Sequence, residues 1–465
     1  AIRAFVVVVV AAAATTTTPL GDEKATEGEA EQQGETSSSA FPFAVILFYK
    51  YIAIPDPDTF AEEQQSLCRR LGLKGRILIG PEGVNGTLSG PLPEIKKYET
   101  ISESSNEGLL QGIQWKRSGS TNHPFADLQI KRVKEIVSTG GMAVNPAQDP
   151  SCGGVHLSPR SFHEALMNST QEDTVLIDVR NRWEYAIGHF KTKNITAVDP
   201  DTKTYSEFKR WVDRDMDRFK NKKVLMYCTG GIRCETASAY LKKKGAKHVG
   251  QLQGGIHKYL DEFGAKGYFK GKNFVFDQRV ALGDPKGTST EVVGKCSMCA
   301  ASYDNFDPGT VCTVCRDPVL VCDGCRKTDK YKEWYCRDHI YLRGVYYTYL
   351  EPFGAEELLK QAEKLREMFK EIHTGKQHKN RRRTFSRQIG KIEEALASRT
   401  SGKESELKST AGQSRRPPCR TCGELECNGK CWGFWAGKVR PWKRRGETVE
   451  SESQSDCTVG KKLKM

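Results

Sequence analysis

Apolar positions along this chain switch between two spacings, and the switches outline its elements. Phe43-Ala-Val-Ile-Leu-Phe-Tyr-Lys50 is a near-continuous β-branched and aromatic run, which predicts a strand. Thr59–Leu71 carries its apolar residues at helical spacing. Lys74-Gly-Arg-Ile-Leu-Ile-Gly80 and Val84-Asn-Gly-Thr-Leu-Ser89 flank the turn Pro81-Glu-Gly83 and predict a hairpin. A second helix is expected near Pro93–Ser104, and another strand near Ile113–Lys116.

That βαββαβ order predicts a ferredoxin-like α/β sandwich of the acylphosphatase type. From about Gly154 to Gly267 buried strands alternate with helices, which predicts a doubly wound parallel sheet. Its strands include Val175-Leu-Ile-Asp178, Val224-Leu-Met-Tyr227 and Val249-Gly-Gln-Leu252. Further on, Ala355–Ile372 sets Leu358, Leu359, Ala362, Leu365, Phe369 and Ile372 on one helical face, the pattern of a packed helix. Asp22–Ala40 and Ser401–Ser414 are polar and read as linkers, and the stretch after Glu447 reads as disordered.

The chemistry concentrates where the central strand ends. Cys228-Thr229-Gly230-Gly231-Ile232-Arg233 lies between Val224–Tyr227 and the helix-like Glu235–Lys244. In such a strand–loop–helix the loop N–H groups converge above the sulfur, and the helix adds the positive end of its dipole. Both favour a thiolate, which makes Cys228 the candidate nucleophile. Packing alone explains a lone cysteine but not two glycines and a closing arginine. Only four residues separate Cys228 from Arg233, one fewer than a phosphate-binding cysteine loop needs. The ring of N–H groups therefore suits a single persulfide sulfur, and the loop by itself reads as persulfide transfer. Ligands of doubly wound sheets sit beyond the carboxyl ends of the strands, where Cys228 falls.

At these residues the chain resembles the rhodanese superfamily, through Asp178-Val-Arg180, then Glu184, Gly188-His189 and the Cys228 loop. The hairpin Gly75-Arg-Ile-Leu78, followed by Glu82-Gly-Val-Asn-Gly-Thr-Leu-Ser-Gly90, stands before that domain. Together with Cys228–Glu235 and Lys272-Asn-Phe-Val-Phe-Asp277 it resembles the tRNA uridine hydroxylase family, over roughly Phe41 to Leu282. The resemblance implies oxygen-dependent 5-hydroxylation of the wobble uridine, with tRNA as substrate and Cys228 essential. It also matches Cys234 to a family cysteine that would pair with Cys228 or resolve a persulfide on it. Arg233 is expected to order the loop and add positive potential, with Asp178 and Arg180 supporting it from below. Two alternatives stay open: a sulfurtransferase working through a Cys228 persulfide with a sulfur donor and acceptor, and a non-catalytic zinc and RNA adaptor. An intact Cys228 and Arg233 argue against the adaptor.

The sixteen cysteines sharpen the picture downstream. Cys296/Cys299, Cys312/Cys315, Cys322/Cys325 and Cys336/His339 are four two-ligand knuckles within 44 residues, enough for two tetrahedral zinc ions. Cross-braced and sequential pairings are both compatible with the spacing. A RING-like ligase fits poorly, because the lone histidine comes in the last pair. Cys419, Cys422, Cys427 and Cys431 form a further knuckle flanked by Arg415, Arg416 and Arg420. Structural zinc is the cofactor expected, with no organic cofactor. These thiols imply a reducing compartment, and Cys68, Cys152 and Cys457 remain ordinary thiols.

Charge adds a partner class. Lysine and arginine number 72 against 58 acids, for a net charge of +14. The basic residues cluster between Lys376 and Lys391 and again between Lys438 and Arg445, the latter beside Trp432, Trp435 and Trp442, a pattern suited to phosphates and unpaired bases. A solvated tail is the plain alternative. The run Phe5–Ala14, with Arg3 before it and no acid before Asp22, is too short to span a membrane and resembles an organelle transit peptide more than a secretory signal. A chloroplast is favoured over a mitochondrion, with the cytoplasm as alternative, and no membrane partner is expected. The expected divisions are residues 1–40, transit-like; 41–150, acylphosphatase-like; 151–282, rhodanese; 290–345, zinc-binding; 346–414, helical and basic; and 415–465, second knuckle and tail.

Overall fold

The structure, a computed structural model, describes residues 41–400 apart from 106–107, 289–290, 308, 329–332 and 376–377. The transit-like segment, the Cys419–Cys431 knuckle and the tryptophan-rich basic tail lie outside the described residues.

The first layer opens with β1 (Phe43–Tyr51), α1 (Pro57–Arg70), β2 (Lys74–Gly80), β3 (Gly83–Pro91), α2 (Leu92–Ser104) and β4 (Lys116–Ser120). Asp56 starts α1 by accepting hydrogen bonds from the Asp58 and Thr59 amides, and Pro57 presets its first turn. The sheet runs β4-β1-β3-β2, the order of a ferredoxin-like sandwich, and β5 (Leu128–Arg132) adds a fifth strand parallel to β2. The last strand of the βαββαβ unit falls later than its sequence suggests. Ile113 is buried in the helix-side core before the strand begins, and the polar Lys116–Ser120 pairs with β1. Apolarity there marks packing rather than strand pairing.

Alternation along β1 divides its faces. Ala44, Ile46 and Phe48 pack with α1 and α2, whereas Val45, Leu47, Tyr49 and Tyr51 point the other way. Val45 joins Phe125, Ile187 and Phe274 in a separate cluster that bridges to the second layer.

That second layer comprises β6 (Val155–Leu157), α3 (Pro159–Met167), β7 (Thr174–Asp178), α4 (Arg182–Ile187), β8 (Gly188–Phe190), α5 (Phe208–Asp215), β9 (Lys223–Tyr227), α6 (Ile232–Lys243), β10 (His248–Leu252) and α7 (Gly255–Phe263). Strands β6-β10-β9-β7 form a parallel sheet in that order. Side chains of α5 and α6 pack on one face and those of α3 and α7 on the other, the doubly wound arrangement. Burial on both faces explains why β7 and β9 read as continuous apolar runs.

The chain then returns through β11 (Phe269–Gly271), which pairs with β8, and through β12 (Asn273–Phe274) and β13 (Ala281–Leu282). Beyond α8 (Asp323–Thr328), α9 (Ala355–Lys370) packs against α10 (Lys379–Thr400). Leu358, Ala362 and Leu365 are buried there, but Leu359 is 55% exposed. It sits about 100° around the helix from Leu358, off the line that the α10 side chains Phe385 and Ile392 cover. Among the described residues no helix is long and apolar enough to cross a membrane.

Candidate active site

Cys228 is the first residue after β9 and is fully buried. Gly231 turns the chain with φ +106° into α6, and its N–H donates to Cys228 Sγ at 3.1 Å. Gly255, at φ +65°, lets α7 approach: a Cβ there would lie 2.6 Å from the carbonyl oxygens of Cys228 and Thr229. Burial pushes the Cys228 thiol up, but a hydrogen bond from the Cys234 thiol, the Arg233 charge and the Arg233 and Gly231 amides outweigh it. The net result is a value of about 6. Cys234 shifts the opposite way, pushed up by burial and by the neighbouring thiolate. One thiolate and one thiol therefore share the site, and both cysteines are free.

Arg233 faces Glu184 on α4 rather than open space. Its Nη1 and Nη2 donate to the two carboxylate oxygens at 2.8 and 2.9 Å, and Nη2 also donates to Thr229 Oγ1 at 3.1 Å. Glu184 is fully buried and also accepts from the Asn181 amide at 3.0 Å. Burial would raise its carboxyl, but Arg233, Arg180 and that amide hold it below the ordinary range. Underneath, Arg180 donates to both oxygens of Asp178 at 2.9 and 2.6 Å, and Tyr227 donates to Asp178 Oδ2 at 2.8 Å. Arg180 and Asp178 have fully buried side chains, so they brace the strand ends and present nothing to a substrate. Ile232, half-buried, opens α6.

The roof comes from the first layer. A Cβ on Gly230 would meet Leu47 Cδ2 at 2.6 Å and Lys116 Cδ at 3.7 Å, and one on Gly231 would meet Tyr49 Oη at 2.7 Å. The outward face of β1 and the adjoining end of β4 thus lie directly on the Cys228 loop. Tyr49 donates to Glu235 Oε1 at 2.9 Å, and Glu235 also contacts His156 and Gln251. Arg279 clamps the layers together: it pairs with Asp277 and donates to Ser118 Oγ at 2.8 Å. Sequence reasoning missed Tyr49, Lys116, Glu235 and His257 and left Glu184 as a motif residue without a role. Period-two alternation in β1 flags Leu47 and Tyr49 as facing something, but nothing local says what.

Between the two layers, Gln114 and Trp115 face Pro159, Gln253, Lys258, Asp261 and Glu262 across a cavity of about 510 Å³ that the Cys228–Arg233 loop itself does not line. Burial pushes the Asp261 carboxyl up to about 6.

Downstream, the four knuckles combine as first with third and second with fourth. Cys296, Cys299, Cys322 and Cys325 form one group; Cys312, Cys315, Cys336 and His339 form the other. Within each, the ligand atoms lie within 4.8 Å of one another. Sulfur separations of 3.6 Å (Cys299–Cys322) and 3.7 Å (Cys315–Cys336) match tetrahedral edges for metal–sulfur bonds of about 2.3 Å. The amides of Met298 and Cys322 donate to Cys296 Sγ at 3.4 and 3.3 Å, which favours the thiolate form. The cross-braced pairing, left open by spacing, is the one adopted. The second group is tied to α4: Arg182 reaches Asp317 at 3.1 Å and Asp338 at 2.8 Å, and Lys203 reaches Asp338 at 2.9 Å.

Two outcomes follow from the buried charges. Arg233→Met leaves Glu184 buried without its partner and is expected to lower stability by about 3–5 kcal/mol in denaturant titration. The ultraviolet thiolate absorbance lost in Cys228→Ser is expected to titrate in the parent near pH 6. An unfolded thiol stays protonated up to about 9.0, so this stabilisation is complete above that pH and is lost as pH falls through about 6.

Comparison with known proteins adds the family. Residues 43–136 match the UPF0176 acylphosphatase like domain, 161–262 the Rhodanese-like domain, and 270–339 the Rhodanase C-terminal family. The chain is 38% identical over 336 residues to Rhodanese-like domain-containing protein 6 of Arabidopsis thaliana, covering 69% of this chain but only 55% of that protein. It is 40% identical to the tRNA uridine(34) hydroxylase of Staphylococcus saprophyticus, covering 54% of this chain and 77% of the relative. The Bacillus licheniformis protein of the same name is 35% identical over 338 residues, covering 70% of this chain and 97% of the relative. Among solved structures, the rhodanese-like domain of an Anabaena sp. protein is 21% identical, covering 25% of this chain and 78% of that one at a TM-score of 0.20. With its acylphosphatase-like and rhodanese domains matched in order and nearly the whole Bacillus protein covered, the chain belongs to the tRNA uridine(34) hydroxylase family.

Proposed function

We propose that this protein hydroxylates the wobble uridine of tRNA, with the Cys228 thiolate as the essential group. The observation that carries the reading is the closed two-layer site: a thiolate near pKa 6 under a roof from the acylphosphatase-like domain. Relatives at 35% and 40% identity bear the hydroxylase name. An anticodon-loop base is unpaired and can enter a cleft without duplex opening. The cavity of about 510 Å³ is of nucleotide size. In this reading Gln114 and Gln253 supply amides for the uracil edge, and Lys258 faces a phosphate. Arg233 acts by holding the loop and Cys234 by donating to the thiolate, while Asp178 and Arg180 brace the floor. The basic segments outside the described residues would add phosphate contacts, and an organellar location, with the chloroplast favoured, belongs to the same proposal.

Sulfur transfer through a Cys228 persulfide is the second reading, favoured by the short loop whose Gly231 amide points at Sγ. Mass spectrometry of nucleosides from total tRNA separates the two. Cells lacking the protein are expected to lose 5-hydroxyuridine-type nucleosides, and Cys228→Ala is expected not to restore them. Unchanged hydroxyuridine with depleted thiolated nucleosides would instead support sulfur transfer.

Zinc is the proposed occupant of the two cysteine groups, since three thiolates with one imidazole, and four thiolates, are its usual structural ligand sets. Its chemistry there would be structural: it would tie the knuckle loops around the small apolar cluster of Val319, Val321 and Trp334. Cys299→Ser with Cys322→Ser is expected to lower the zinc content by one ion per chain, because both belong to one group. Loss of two ions would mean sequential pairing.

A further inference from the structure

We propose that Lys116, contributed by the acylphosphatase-like domain, is the counter-cation of the Cys228 thiolate, so that the active centre is completed across the domain boundary. The proposal deepens the functional reading above, in which that thiolate is the working group.

Charge accounting around the loop carries the argument. Arg180 is closed on Asp178, Arg233 on Glu184 and Arg279 on Asp277. Glu235 is shared by His156, Tyr49 and Gln251. Beside them stand the Cys228 thiolate, which the Arg233 charge also favours, and one buried cation without an ion-pair partner, Lys116, a residue only 2% exposed. Among the described residues Lys116 has no carboxylate partner. Its polar contacts are the Gln114 carbonyl at a long 3.4 Å and the face of the Tyr49 ring at 4.7 Å. An ammonium so placed is costly unless an anion answers it.

The geometry puts the thiolate in that role. Lys116 stands opposite Leu47 in the β1–β4 register, and both side chains lie on Gly230, two residues from Cys228. Glycine at 230 is what allows the approach, since a Cβ there would strike Leu47. The groups around Lys116 come from several elements: Tyr49 on β1, Cys228 and Glu235 from the loop and α6, and His257 and Lys258 on α7, with Arg279 beyond His257. Burial lowers the Lys116 ammonium to about 8 and Lys258 lowers it too, while Cys228 pulls it up ahead of Glu235. His257 is kept neutral by burial, with Arg279 and Lys116 adding repulsion, so it does not compete for the role.

The test uses the full-length protein without tRNA and reads the Cys228 thiolate by ultraviolet absorbance, each variant set against its own Cys228→Ser counterpart. Lys116→Met, which preserves the stem, is expected to raise the Cys228 pKa by about one to two units. Lys116→Arg is expected to leave it within about half a unit of the parent. An unchanged or lowered pKa in Lys116→Met overturns the proposal. Should that variant not fold, the reciprocal titration decides: in Cys228→Ser the Lys116 ammonium, followed by nitrogen NMR, is expected to drop by a similar amount, and no drop overturns the proposal. The tRNA nucleoside assay is independent of both. Hydroxyuridine that persists in Cys228→Ala cells removes the functional reading while a shifted thiolate still supports the ion pair.

Discussion

The fork between Glu184 and Arg233 is the contact from which the Cys228 loop hangs. A carboxylate with no exposure lies in that interior only because a guanidinium answers both of its oxygens and the Asn181 amide takes one as well. The same guanidinium holds Thr229, so the loop is gripped on both sides of its glycines. Asp178 with Arg180 repeats the device one level down, braced by Tyr227 and by the Gly188 carbonyl, which accepts from Arg180. Two stacked ion pairs make a rigid floor. On it the Gly231 amide and the α6 N-terminus aim at one sulfur without having to reorganise. Removing either arginine would strand a buried carboxylate, so the positive charge near the sulfur is also structural charge.

The roof depends on a different constraint, the period of two along β1. Its inward residues make the helix-side core, which commits the opposite face to whatever lies beyond the sheet. That face carries Leu47, Tyr49 and Tyr51 and meets the Cys228 loop where Gly230 and Gly231 have no side chains. A slip of one residue in β1 would push Tyr49 into the helix-side core and turn Phe48 toward the loop. The register of the first sheet therefore determines the chemistry above the second. Order of domains along the chain is thus more than a tether, because the first supplies a wall of the second's site.

Much of this was legible in the sequence, for reasons that can be stated. The strand–Cys-x-x-x-x-Arg–helix motif is local, and every residue needed to place Cys228, the glycines and Arg233 lies within six positions. Fully buried parallel strands print as apolar runs, so β7 and β9 stood out, and paired knuckles print as metal ligands. What was hidden is what two remote segments do together. Lys116 is at an edge strand in a polar stretch and looks solvated, whereas the fold buries it. Glu184 is 49 residues from Arg233, and no spacing rule connects them. The knuckle pairing and the exposure of Leu359 likewise depend on what packs opposite, and α10 covers only part of the stripe that helical periodicity outlines.

The position of the cysteine-rich region gives it a mechanical bearing on the site. Arg182, at the start of α4, is largely withdrawn from solvent and is answered mainly by Asp317 and Asp338, which sit among the ligands of the second group. Two residues along the same short helix is Glu184, which holds Arg233. A metal ion in each group would tie two knuckles together around the small apolar cluster of Val319, Val321 and Trp334. Losing the second ion would free Asp317 and Asp338 and leave Arg182 at the α4 N-terminus, where the helix dipole disfavours a cation. The strain would then fall on the six-residue helix that positions Glu184, and through it on the arginine beside the sulfur. Metal binding at the second group would therefore bear on the site through Arg182 and the short α4, by position and charge rather than by chemistry.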